Sequence, residues 1–178
     1  MRKLYVLRWG HRARDFRVTT HICLTARALG ADGLFLTDVT DVNIEKTVSD
    51  VAARWGGRFD FQMGRPWKSV IKDWKEKGGF IIHLTMYGEN VSNSILSQIR
   101  ELDADVLVLV GSQKVPASFY SEKVSDCNIA IGDQPHSEVA ALAIFLDRLF
   151  HGAELTLEFK DAKMRVLPSR RGKALLTS

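Results

Sequence analysis

Two glycine-ended apolar runs and one arginine-rich loop hold the residues best equipped for chemistry in this 178-residue chain. In V-L-V-L-V-G-S-Q-K-V-P the run Val106–Val110 stops at Gly111, and Ser112, Gln113, Lys114 and Val115 follow. In N-I-A-I-G-D-Q-P-H-S-E-V-A-A-L-A the run Ile129, Ala130, Ile131 stops at Gly132, and Asp133, Gln134, Pro135 and His136 lead into a helical pattern. Main-chain groups just past the carboxyl end of a parallel strand are free to hydrogen-bond a ligand, and glycine lets that ligand come close. Two such loops so near in sequence suggest one shared pocket. Toward the N-terminus, W-G-H-R-A-R-D-F-R places Arg12, Arg14 and Arg17 together, with Arg8 behind them. Permanent cations in one loop can clamp a phosphate or steady a developing negative charge.

The elements that must position these loops are legible from hydrophobic pattern. Strand-like runs recur at Lys3–Arg8, Gly33–Thr37, Arg58–Gln62, Phe80–Leu84, Val106–Val110 and Asn128–Ile131. Most are continuous rather than alternating in apolar residues, as in strands covered on both faces of a parallel sheet. Helical patterns lie between them. Val18, Ile22, Ala26 and Leu29 share a face, with Gly30 as a stop; Thr19, Thr20 and His21 stand where a helix cap could be. Ile44 to Trp55 forms a second helix closed by Gly56-Gly57, and Pro66 opens a third with Trp67, Val70, Ile71 and Trp74 on one face. Ile95, Ile99 and Leu102 mark a fourth, and Val139–Phe150 a fifth that is apolar on more than one face. Alternating strand and helix predicts an α/β fold, a mainly parallel sheet with helices on both faces. The end differs: L-T-L-E-F alternates at period two, and Met164–Leu167 after a turn predicts a C-terminal β-hairpin, closed by Pro168 and followed by the basic tail S-R-R-G-K.

Size and composition fit one domain with an appendage, and no apolar run approaches the roughly 20 residues of a membrane span. The segment after Met1 is too short for the core of a signal peptide, so the cytoplasm is the expected location. Cys23 and Cys127 read as small buried apolar residues. The net charge of +4 is segregated: residues 1–17 carry +5, residues 160–178 carry +5, and the middle carries −6. Two basic ends on an acidic body suit a polyanion such as a nucleic acid, although solvated flexible ends would look the same.

Several chemistries are disfavoured. No G-x-G-x-x-G follows the first strand, and G-S-Q-K-V-P lacks the spacing of a phosphate loop. The five histidines and two cysteines never fall at metal-ligand spacing, so no metal is expected. No G-x-S-x-G supports a hydrolase.

What remains has a specific order: the arginine loop running into V-T-T-H-I-C-L-T-A-R-A-L-G-A-D-G, then H-L-T-M-Y-G, then V-G-S-Q-K-V-P, then I-G-D-Q-P-H-S-E-V-A-A-L-A. From about Leu4 to Leu149 this resembles the archaeal tRNA methyltransferases that modify the ribose 2′-hydroxyl of cytidine 56 in the T-loop, a branch of the SPOUT superfamily. The resemblance implies a SPOUT methyltransferase domain over residues 1–152, with residues 153–178 as hairpin and basic tail. It also implies a deep trefoil knot, S-adenosylmethionine as donor, a homodimer through the fifth helix, and tRNA as partner with no membrane.

Carried over by residue, the resemblance implies that Leu84 floors the adenine site, that Gly111 to Val115 form the next loop, and that Ile129 to His136 form the knot-threading loop. His136 there could titrate or could contact through its backbone alone. The superfamily's first-motif Asn and Arg fall here on Val18 and Leu24, a departure that shifts the catalytic role to Arg12, Arg14 or Arg17, with Arg14 and Arg17 favoured. Arginine is a poor base, so stabilising the alkoxide is the expected role. Competing readings are the same fold acting on another RNA, a catalytically silent RNA-binding module, and a generic α/β nucleotide-binding protein.

Overall fold

The computed structural model describes residues 1–177; Ser178, the last residue of the expected appendage, lies outside them. Strands β1 (Leu4–Arg8), β2 (Gly33–Leu36), β3 (Asp60–Met63), β4 (Phe80–Asn90), β5 (Val106–Val110) and β6 (Cys127–Ala130) form one parallel sheet in the order β3-β2-β1-β5-β4-β6. Side-chain alternation divides β5 cleanly. Val106, Val108 and Val110 pack on one face with α1 (Phe16–Ala28), α2 (Val42–Trp55), α4 (Asn93–Glu101) and α5 (Glu138–Phe150). Leu107 and Leu109 pack on the other with α3 (Trp67–Glu76) and the short turn Ala117–Tyr120. Burial on both faces is why these strands read as unbroken apolar runs.

Strand β4 runs six residues beyond the expected Leu84. Leu84 pairs with Ile129 of β6, and so does Glu89, while Asn90 pairs with Ala130 and the Val91 amide donates to the Ala130 carbonyl. One residue of a strand has one partner per edge, so Leu84 and Glu89 flank β6 on opposite edges. Residues 85–88 therefore pass around β6. The passage is tight: a Cβ on Gly88 would lie 2.6 Å from the main chain of Asn128 and Ile129.

Three expectations are corrected. L-T-L-E-F is not a strand: Ala153–Thr156 is a short 3-10 turn, entered through left-handed His151 and Gly152. Its Phe159 is committed elsewhere, beneath the Arg27 guanidinium at 4.6 Å, and the Lys160 carbonyl accepts from the Gly57 amide. The C-terminal hairpin instead pairs β7 (Met164–Leu167) with β8 (Ala174–Thr177). The basic S-R-R-G-K segment is its connection, not a tail. Residues Thr19, Thr20 and His21 do not cap α1, which starts earlier at Phe16 after Asp15. Thr19 lies inside the helix with its hydroxyl 2.9 Å from His11 Nδ1.

Candidate functional site

The carboxyl ends of β4, β5 and β6 open into a cleft of roughly 610 Å³. Its apolar wall comes from Leu84, Val110, Val115, Ile129 and Ile131, and its polar wall from the loops that follow them. Of the residues expected from sequence, Leu84, Gly111, Ser112, Gln113, Val115, Ile129, Ile131, Gln134, Pro135, His136 and Arg14 are gathered here. Ala130 is buried within β6, pairing with Asn90, and does not line the cleft. Lys114, Gly132 and Asp133 belong to the same loops but do not line it. Arg12 and Arg17 are exposed and do not line it. Only Arg14 of the three loop arginines reaches the cleft, its Nε 3.8 Å from Asp15.

Local geometry fixes the two loops. After β5, the Gly111 Cα is packed so closely by the Val115 side chain that no Cβ could be added. After β6, His136 Nε2 lies 2.7 Å from the Ile131 carbonyl, and Nδ1 lies 3.1 Å from the Ser137 carbonyl, so the ring stitches its loop. Ser137 then caps α5 by accepting from the Ala140 amide. The helix expected over Val139–Phe150 thus starts at Glu138.

The sequence sets Arg8 behind the loop arginines, but it marks no role for His83, Tyr87 or Tyr120. Arg8, 1% exposed, reaches from the end of β1 to donate to the Gly111 carbonyl and sits 3.8 Å from Glu138 of α5. Burial pushes its guanidinium down, with Glu138 the largest opposing influence. His83 is buried beneath the cleft with Nδ1 2.9 Å from Asn128 Oδ1, and burial holds its pKa below the ordinary value. Tyr87 and Tyr120 stand at the rim. A final link holds the arginine loop: His11 bridges Thr19 of α1 and Asp41, whose other oxygen accepts from the Asn43 and Ile44 amides at the start of α2.

Cys23 and Cys127 are both held as thiols by burial, Cys23 pushed up to about 12 and Cys127 to about 11. Among the described residues no cluster of three or more His, Cys, Asp or Glu is placed to hold a metal ion. No described helix is long and apolar enough to cross a membrane.

Comparison with known proteins follows this geometry. Residues 55–176 match the family described as tRNA ribose 2′-O-methyltransferase, aTrm56. The tRNA (cytidine(56)-2′-O)-methyltransferase of Thermofilum pendens is 49% identical over 176 residues, covering 98% of this chain and 96% of its own. The protein of the same name from Methanopyrus kandleri is 52% identical over 169 residues, covering 94% and 93%. Among solved structures, the SpoU methyltransferase AviRb from Streptomyces viridochromogenes, in complex with the cofactor AdoMet, superposes with a TM-score of 0.58 at 14% identity, over 84% of this chain and 57% of that one. The A. aeolicus TrmH/SpoU tRNA modifying enzyme gives 0.58 at 15% identity, over 87% and 77%. These last two share the fold.

Proposed function

This chain belongs to the tRNA ribose 2′-O-methyltransferase family, and from that premise we propose that it methylates the ribose 2′-hydroxyl of cytidine 56 in the T-loop of tRNA, with S-adenosylmethionine as donor. The observation that carries this reading is one cleft built from the ends of β4, β5 and β6, with Arg14 on its wall. The residues fit an adenosine-bearing donor. Leu84, Ile129 and Ile131 offer apolar cover to a flat base, while the loops after Gly111 and Ile131 offer main-chain groups to its edge. When bound, the donor supplies an electrophilic methyl on a sulfonium. Glu138 and Asp15 at the cleft complement that positive charge.

Transfer to a hydroxyl is an in-line displacement, so positioning supplies much of the rate. The acceptor oxygen gains negative charge as it attacks. Arg14 is the loop arginine placed to stabilise that charge, and its guanidinium acts as a fixed cation rather than a base. Arg12 and Arg17, exposed beside it, hold RNA phosphates.

The passage of residues 85–88 around β6 supports the trefoil knot of the SPOUT fold, with β6 as the threaded segment. Residues 1–152 carry the reaction, and residues 153–178 are an appendage. The working form is a homodimer, supported by Ile144 of α5, 41% exposed on a helix whose residues 139–146 are all apolar. The cytoplasm, where tRNA is matured, is its location.

The test is incubation of unmodified tRNA with the protein and labelled donor, followed by mass mapping of methylated riboses. A single 2′-O-methyl at cytidine 56 is the expected result. Methylation elsewhere points to another RNA target, and donor binding without methylation in any RNA overturns the reading.

A further inference from the structure

Tyr87 is 76% exposed, yet it is not on a loose loop. The excursion that carries it is pinned at Leu84 and again at Glu89, both paired with Ile129, and Gly88 is pressed against the β6 main chain. A large aromatic ring is thus held in solvent by a rigid support.

Rings beneath it continue into the core. Tyr87 meets Tyr120 at 6.3 Å and 67°, Tyr120 meets His83 at 5.1 Å, His83 meets Phe119 at 5.7 Å, and Phe119 packs on Trp67 at 4.9 Å. Each contact is edge-to-face, which fixes the tilt of the next ring. The series ends at the mouth of the cleft, with Tyr87 outermost, Tyr120 39% exposed beside it, and Met86 42% exposed next to it in sequence. Among the described residues nothing covers the outer side of Tyr87.

A ribose cannot reach the cleft unless its nucleotide leaves its neighbours, and the freed base then needs a new surface. Unstacked RNA bases are commonly received on aromatic side chains. We propose that Tyr87, braced by Tyr120, is the platform on which the base of the methylated nucleotide stacks, so that its sugar lies over the cleft. This rests on the ribose-methylation reading above and adds the residue that receives the base. Arg14 handles the sugar oxygen, and Tyr87 sets where the sugar stands.

The experiment measures single-turnover methylation by the full-length protein with two substrates: tRNA carrying cytidine at position 56 and the same tRNA with an abasic ribonucleotide there. Base-on-ring stacking is worth roughly 5- to 150-fold on alanine substitution. Tyr87→Ala should therefore slow wild-type substrate by about that factor while donor binding, read by titration calorimetry, is kept. Tyr87→Phe, which preserves the ring face, should recover most of the loss. On the abasic substrate Tyr87→Ala should cost nothing further, because the base and the ring act as one pair. Losses that multiply on the abasic substrate, or a fall in donor affinity, assign Tyr87 a scaffold or donor role and overturn the inference. If wild-type protein leaves position 56 unmethylated, the underlying reading fails instead, whatever Tyr87 does.

Discussion

Arg8, sealed at the end of β1, lies 3.8 Å from Glu138 of α5 and donates to the Gly111 carbonyl at the end of β5. One guanidinium thereby ties the first strand, the first cleft loop and the fifth helix. A buried cation survives only where partners repay its lost hydration. Arg8→Ala should therefore destabilise the fold by about 3 kcal/mol, since it strands the Gly111 carbonyl and empties a large buried volume. Urea unfolding measures the loss, and donor titration should show weakened binding because the Gly111 loop loses its anchor.

The three loop arginines should separate in kinetics. Arg14→Ala should lower turnover by about 10²- to 10³-fold with donor affinity retained, the usual cost of removing a stabiliser of developing charge. Arg12→Ala and Arg17→Ala should instead weaken tRNA binding and each reduce the log–log salt slope by about 1. Equal turnover in all three variants would remove Arg14 from the chemistry.

His11 and Asp41, 3.2 Å apart, staple the arginine loop to the start of α2. Asp41→Ala removes both the staple and the cap of α2, with about 1 kcal/mol expected for the cap alone. A double-mutant cycle with His11→Ala isolates the staple, and coupling of about 0.5 kcal/mol or more is expected for residues in contact. The same variants should lower turnover more than donor affinity, because Arg14 rides on the stapled loop.

Burial keeps the His83 imidazole below its ordinary pKa, with the Asn128 hydrogen bond partly opposing the shift. The unfolded chain therefore takes up this proton first as pH falls. Above about pH 6.5 the residue leaves stability flat; below it, stability declines toward acid at up to about 1.4 kcal/mol per pH unit until the folded form titrates as well. Denaturant midpoints between about pH 7.5 and about pH 5 should fall less steeply in His83→Gln than in the unaltered protein.

Gly88 supplies the narrowest clearance in the passage around β6. Gly88→Ala forces a methyl against main chain that has no room to yield, and overpacking of this kind costs about 1–3 kcal/mol. Wild-type stability in this variant would show that residues 85–88 take another path.

The strands were readable because burial on both faces leaves little choice of residue. Val106–Val110 is the clearest case, matching its sequence bounds at both ends. The two cleft loops were readable for a related reason, since a glycine after an apolar run marks where a strand stops and main chain opens. Beyond Leu84 the pattern fails: T-M-Y-G-E-N looks like a polar loop, and its last residues pair only because β6 has come between them and Leu84. L-T-L-E-F misled in the opposite sense. Its alternation is real, but Phe159 answers to Arg27 and Gly57 rather than to a neighbouring strand. Contacts between distant residues, such as Arg8 with Glu138 or His11 with Asp41, leave no local periodicity at all. Nor could sequence order choose among the arginines: Arg14 sits in the short turn Ala13–Asp15, while Arg12 precedes that turn and Arg17 already lies in α1.

The encirclement of β6 has a consequence for synthesis. Residues 80–110 leave the ribosome well before residues 127–130, so β4 waits with one open edge, a template on which another nascent chain could pair. Closure must then bring residues 85–88 and the later segment together. Cells making this protein carry that vulnerable interval with every copy, and its length is set by how quickly the residues between Val110 and Ala130 follow.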